Sequence, residues 1–129
     1  LCVRTGEGYG ETRALARYDA NGDLDTVFDL SDLALTDVLT GIDVQADGRV
    51  VAALWVGPDT DWDVTVGRWL ANGSPDTGFG PTADGQAEWT DVDVEDESGA
   101  VFIRSDGKLV LTGEDRVTGD RILVRYLSE

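Results

Sequence analysis

Hydrophobic and polar residues alternate in short runs along this chain, and the same runs come back. Ile42-Asp43-Val44, Asp47-Gly48-Arg49 and Val50-Val51-Ala52 are answered by Val101-Phe102-Ile103, Asp106-Gly107-Lys108 and Leu109-Val110-Leu111. Apolar or β-branched runs on both sides of Asp-Gly predict a β-hairpin, with Asp and Gly as the central residues of a tight I′ turn. Residues 12–18, 64–70 and 122–127 read as further short strands, each carrying Arg and then an aromatic residue: Arg17-Tyr18, Arg68-Trp69 and Arg125-Tyr126. Asn21-Gly22 and Asn72-Gly73 follow the first two as turns, where the strand is expected to stop.

The longest shared stretch is Arg17-Tyr18-Asp19-Ala20-Asn21-Gly22-Asp23-Leu24-Asp25-Thr26-Val27-Phe28, which returns as Arg68-Trp69-Leu70-Ala71-Asn72-Gly73-Ser74-Pro75-Asp76-Thr77-Gly78-Phe79. The recurring arginines lie 51 and 57 positions apart, a period that marks a solenoid, propeller or array. No stretch sustains a helical period between caps; residues 29–39 come nearest. The reading is therefore all-β, with about four short antiparallel strands per repeat, as in propeller blades. It divides the chain into a part-repeat at 1–11, repeats at 12–57 and 64–113, and a part-repeat at 120–129, as one domain. Cys2-Val3-Arg4-Thr5-Gly6 aligns with Leu109-Val110-Leu111-Thr112-Gly113, so the chain opens in mid-repeat. Phe28 to Asp47 spans 19 positions and Phe79 to Asp106 spans 27, so eight extra residues belong to a loop near 80–86 or 95–99. Further strands are expected within 33–38 and 87–94.

Arg-Tyr/Trp-x-x-Asn-Gly-x-x-Asp-Thr-x-Phe, followed by a variable strand, an apolar strand, Asp-Gly-Arg/Lys and an apolar strand ending in Gly, resembles the delta-60 repeat. The resemblance covers nearly the whole chain. It departs at Leu54-Trp55-Val56, which delays the usual Gly to Gly57, and in the eight-residue length difference. The resemblance implies β-propeller blades in a large, secreted or surface-attached bacterial protein. It carries no catalytic residues.

Composition narrows the partners. With 26 acidic and 10 basic residues among 129, the formal charge is −16, which repels phosphate backbones and anionic membranes. Nucleic acid is not an expected partner. No apolar run approaches the ~20 residues that span a bilayer as a helix, so membrane insertion is not expected either. Cys2 is the single cysteine and reads as a buried free thiol. The start at Leu1 suggests a processed or excised piece of a longer chain.

Candidate chemistry is sparse. The chain has no His, which removes the commonest general base and any His-centred triad. An enzyme is not expected; the alternative is a carbohydrate-active enzyme using paired carboxylates. Asp19, Asn21, Asp23 and Asp25 alternate oxygen side chains, but their counterparts are Leu70, Asn72, Ser74 and Asp76, so turn chemistry accounts for them better than calcium. Asp25 and Asp76 are expected to accept nearby backbone N–H groups. Asp91, Asp93 and Glu95 fall at period two on one strand face, a solvated face or a cation site completed by Asp96 or Glu97. No cofactor is expected, with calcium the alternative at that cluster. Asp59, Asp61 and Asp63 surround Trp62, and Trp62 and Trp89 lack counterparts in the other copy, so these five residues are the candidate binding surface. Tyr18, Trp69 and Tyr126 share one repeat position and are expected to pack between blades against the Arg stem or guanidinium.

The function expected from these readings is a structural or interaction module that binds a protein or glycan, or assembles with itself or with other blades into a ring. Propellers close with about four to eight blades, and this chain carries little more than two.

Overall fold

A computed structural model describes residues 2–5, 12–30, 38–56, 63–82, 84–89, 96–115 and 118–126. Every regular element among them is a β-strand, in the order β1 (Cys2–Thr5), β2 (Thr12–Tyr18), β3 (Leu24–Phe28), β4 (Val38–Val44), β5 (Val50–Val56), β6 (Asp63–Trp69), β7 (Gln86–Trp89), β8 (Asp96–Ile103), β9 (Leu109–Asp115) and β10 (Arg121–Tyr126). They form three antiparallel sheets: β1-β2-β3, β4-β5-β6-β7 and β10-β9-β8. The fold is all-β and propeller-like.

The sheets are cut at a different point from the sequence repeats. The repeat spans 12–57 and 64–113 place a boundary between β5 and β6, yet β5 pairs with β6 along its whole length, from Val50 opposite Trp69 to Val56 opposite Asp63. The unbroken ladder joins each Asp-Gly hairpin to the Arg strand that follows it, so the breaks fall between β3 and β4 and between β7 and β8. Among the described residues one sheet thus has four strands and two have three, consistent with about two blades and part-blades at both ends. Sequence identity begins at Arg17 and Arg68, but hydrogen bonding ignores that origin.

All four turns of the repeat share one geometry. Gly48 N–H donates to Gln45 O at 2.9 Å and Gln45 N–H to Arg49 O at 2.8 Å; the same pair of bonds joins Arg104, Gly107 and Lys108, Asp19, Gly22 and Asp23, and Leu70, Gly73 and Ser74. Asp-Gly is therefore not the centre of a two-residue I′ turn. The turn centre lies one residue earlier, and Gly follows at positive φ, 85° at Gly48 and 91° at Gly73, as in three-residue hairpins closed by a bulge. The consequence at Asn21-Gly22 is a hairpin: the chain does not stop there but returns as β3 beside β2. β1 pairs with β2 as the aligned hairpin arm should, but Cys2 stands opposite Leu15, three positions away from Tyr18, where the alignment would put it.

The second copy of the shared motif folds differently. Pro75 bridges to Trp69 and Asp76 N–H bonds to Arg68 O, but the chain then leaves the ladder and rejoins it where Arg68 N–H donates to Gly85 O at 2.8 Å. Ala87, opposite Val66, takes the place that Phe28 holds opposite Leu15. The surplus of eight residues therefore lies between Phe79 and Ala87, the first of the two regions expected. β7 occupies the start of the strand expected within 87–94; residues 33–37 lie outside the described ones.

Period-two alternation explains the core. Val50, Ala52 and Leu54 face the first sheet with Leu15, Phe28 and Trp69, while Val51 and Ala53 face the third with Val64, Val66, Val101, Leu109 and Leu111. β5 is buried on both faces, which is why it reads as a continuous apolar run instead of an alternating one. Burying one such Leu or Val contributes about 1.5–3 kcal/mol, and the two clusters hold the three sheets face to face. The second and third sheets approach closely at Gly41, where a Cβ would come within 3.0 Å of Ala100 Cα.

Candidate interaction surfaces

The repeated Arg is the main polar device of the fold. Arg17 pairs with Asp25, donates from Nη2 to Thr26 Oγ1 at 3.0 Å, and crosses to the second sheet, where Nη2 reaches Ala71 O at 3.0 Å and Nη1 reaches Gly48 O at 3.5 Å. Its counterpart Arg68 donates from Nε to Asp76 Oδ2 at 2.8 Å, within the body of the protein. Arg49 Nε lies 3.2 Å from the same oxygen, at ion-pair distance but without hydrogen-bond alignment. The second carboxylate oxygen of Asp76 accepts the N–H of Gly78 at 3.2 Å, as expected from its place before Thr77. Asp25 instead accepts from side chains, Arg17 and the Thr26 hydroxyl at 3.4 Å.

The guanidinium of Arg68 stacks 4.3 Å above the ring centre of Phe79. The aromatic partner is thus the Phe at the end of the motif and not the neighbour Trp69. Trp69 is 3% exposed between the first and second sheets, and its indole N–H donates to Asp29 O at 2.6 Å. It lies flat because Gly67 has no Cβ: one there would meet Trp69 Cη2 at 2.5 Å. Tyr18 follows Ala16 instead of Gly and stays 45% exposed. The side chain of Tyr126 lies outside the described ones. Between the second and third sheets Asp43 Oδ2 accepts the N–H of Ile103 at 3.0 Å.

The acidic turns are self-contained. Asp19 Oδ1 accepts Asn21 and Asp23 N–H at 2.8 and 2.9 Å, Asp47 accepts Arg49 N–H, and Asp106 accepts Lys108 N–H. These contacts hold all three carboxyls below the ordinary 3.8: backbone N–H of Asp23 leads at Asp19, that of Arg49 at Asp47, and the Lys108 ammonium at Asp106. Asp84 is lowered likewise, first by the Thr82 hydroxyl at 2.7 Å and then by Gln86 N–H. Among the side chains that alternate over 19–25, Asp19 accepts from the turn and from the Asn21 amide at 3.3 Å, and Asp25 pairs with Arg17.

Of the residues singled out from sequence, Asp63 is half-buried at the start of β6, opposite Val56. Trp89 ends β7, opposite Val64, with its side chain outside the described ones. Asp59, Asp61, Trp62, Asp91, Asp93 and Glu95 lie outside the described residues. No cluster of three or more potential metal ligands occurs among the described residues. The two outer sheet faces also carry exposed apolar residues, as a chain of little more than two blades leads one to expect. On the first sheet Tyr18, Leu24 and Val27 stand exposed, and on the third Phe102 and Leu123 do. The signal lies in adjacent apolar residues, Val27-Phe28 in β3 and Leu123-Val124 in β10, which put apolar side chains on both faces of a strand. A concavity lined by Asp29, Leu30, Arg68, Trp69, Pro75 and Gln86 has a volume of about 10 Å³, room for one water.

Stacked antiparallel sheets built from a recurring hairpin and Arg strand define a β-propeller-like repeat protein. A family model described as a domain of unknown function (DUF5122) beta-propeller matches residues 5–28, from the end of β1 through β2, its turn and β3. No curated protein and no solved structure matches the chain.

Proposed function

We propose that the chain is a structural and interaction module of a secreted or surface protein, built of repeats of the delta-60 type. It binds protein or glycan partners, or further sheets of its own kind, and does not turn over a substrate. The observation that carries this reading is the pair of outer sheet faces, where Val27 is 58% exposed and Leu123 is 73% exposed, the latter at a position whose repeat equivalents Leu15 and Val66 are packed against another sheet. Exposed apolar faces of this kind mark interaction surfaces. The matched family description supports the propeller-like class on which the reading rests. Screening the purified chain on glycan arrays beside a panel of chromogenic glycosides tests it. Binding without hydrolysis is expected; hydrolysis abolished by a single Asp substitution would replace the module by an acid-pair glycosidase. A melting temperature unmoved by chelator on the same sample is the expected answer for calcium.

A further inference from the structure

The three sheets stack in one sense, and that sense can be read residue by residue. Leu15 of the first sheet faces the second, and its repeat counterpart Val66 of the second sheet faces the third. The third counterpart, two residues before Arg125, is Leu123, which faces no sheet and is 73% exposed beside Phe102 at 54%. The opposite faces follow the same rule. Trp69 and Ala52 turn back toward the first sheet, and Leu109 and Leu111 turn back toward the second. On the first sheet the counterpart of Trp69 is Tyr18, exposed beside Val27. The forward face of the third sheet and the backward face of the first are thus the two halves of a contact the molecule already makes twice.

Resting on the interaction-module reading, we infer that the forward face of the third sheet docks the backward face of the first sheet of a second copy of this chain, head to tail. Charge favours this occupant. In the contact between the first and second sheets, Arg17 reaches the carbonyl of Ala71 on a hairpin whose flanks, Leu70 and Ser74, are uncharged. Arg125 is the counterpart of Arg17 and is exposed, and no bond joins its side chain to another described residue. The hairpin it would meet on the second copy holds Ala20 at the place of Ala71, flanked by Asp19 and Asp23, both exposed. A guanidinium therefore meets a carbonyl and two carboxylates where the internal contact offers carbonyls alone, a gain that salt screens. Two copies bring twice the three sheets described, within the range of about four to eight at which propellers close.

Light scattering of the purified chain at micromolar concentration is expected to give twice the 13.8 kDa chain mass. Leu123→Glu and Val27→Glu each place a carboxylate on one half of the contact and should each yield single chains. Mixing the two should restore a two-chain species, because each variant brings one unaltered half. Both side chains are exposed, and circular dichroism melts confirm that the variants fold. A single-chain mass for the unaltered protein, or a dimer that survives either substitution, overturns the inference. A single-chain protein whose glycan or protein binding is abolished by the same substitutions removes this inference alone and leaves the module reading standing.

Discussion

Arg17 Nη2 donates to the carbonyl of Ala71 at 3.0 Å across 54 positions of sequence, tying the first sheet to a hairpin of the second. The same guanidinium satisfies Thr26 on its own sheet and pairs with Asp25, so one side chain serves both a strand pair and a sheet pair.

Arg17→Ala should therefore destabilise the fold by about 1–2 kcal/mol, the scale of charge-assisted bonds at a partly exposed site. Arg17→Lys should recover little of it, since an ammonium cannot hold Asp25, Thr26 and Ala71 in one plane. Urea denaturation followed by tryptophan fluorescence measures both, and it also reports whether the first sheet is lost separately.

Asp76 is the more sensitive partner. Its carboxylate is buried against Arg68 and within 3.2 Å of Arg49, so Asp76→Ala leaves an uncompensated buried guanidinium and should cost about 3–5 kcal/mol. Arg68→Met with Asp76→Ala removes both charges and should cost less than Asp76→Ala alone. A double-mutant cycle decides it: additive losses would show that the two groups are not coupled.

Gly22 and Gly73 hold the same place in the two copies of the turn, at φ of 87° and 91°. A Cβ on Gly22 meets open space, whereas one on Gly73 comes within 2.5 Å of Val27 O on the first sheet. Gly22→Ala should cost about 1–2 kcal/mol for left-handed backbone alone. Gly73→Ala should cost more, because Asp29 N–H also bonds Gly73 O at 2.8 Å and the two sheets must part to admit the methyl. Equal losses in thermal melts would show that the seam yields freely.

Acid should weaken the turns. Asp19, Asp47, Asp84 and Asp106 all sit below 3.8 in the folded chain, so the folded state holds protons less readily than the unfolded one. Their contribution is complete well above 3.8 and is lost as pH falls below it through the folded values. Relief of repulsion among the −16 net charge acts in the opposite direction, so the informative quantity is a difference between variants. Asp19→Asn keeps an acceptor oxygen but cannot titrate, and the decline of its melting temperature between about pH 4 and pH 2 should be shallower than that of the unaltered chain.

Much of this protein is legible one short stretch at a time. Asp47-Gly48, Asp106-Gly107, Asn21-Gly22 and Asn72-Gly73 announce turns because positive φ and side-chain acceptors act over three or four residues, and the apolar runs beside them announce strands for the same local reason. The repeat itself is a property of sequence alone. Three things were decided by tertiary structure. Where one sheet ends and the next begins depends on the β5–β6 ladder, whose strands are joined through residues 57–62 and bear no mark of continuity in their side chains. Near-identical words at 24–28 and 75–79 became a strand and a turn, because Arg68 finds its backbone partner at Gly85 and Phe79 is drawn beneath the Arg68 guanidinium. And whether an apolar position is core or surface, Trp69 buried and Tyr18 exposed, Val66 buried and Leu123 exposed, turns on the presence of a neighbouring sheet, which a residue's own sequence context does not contain.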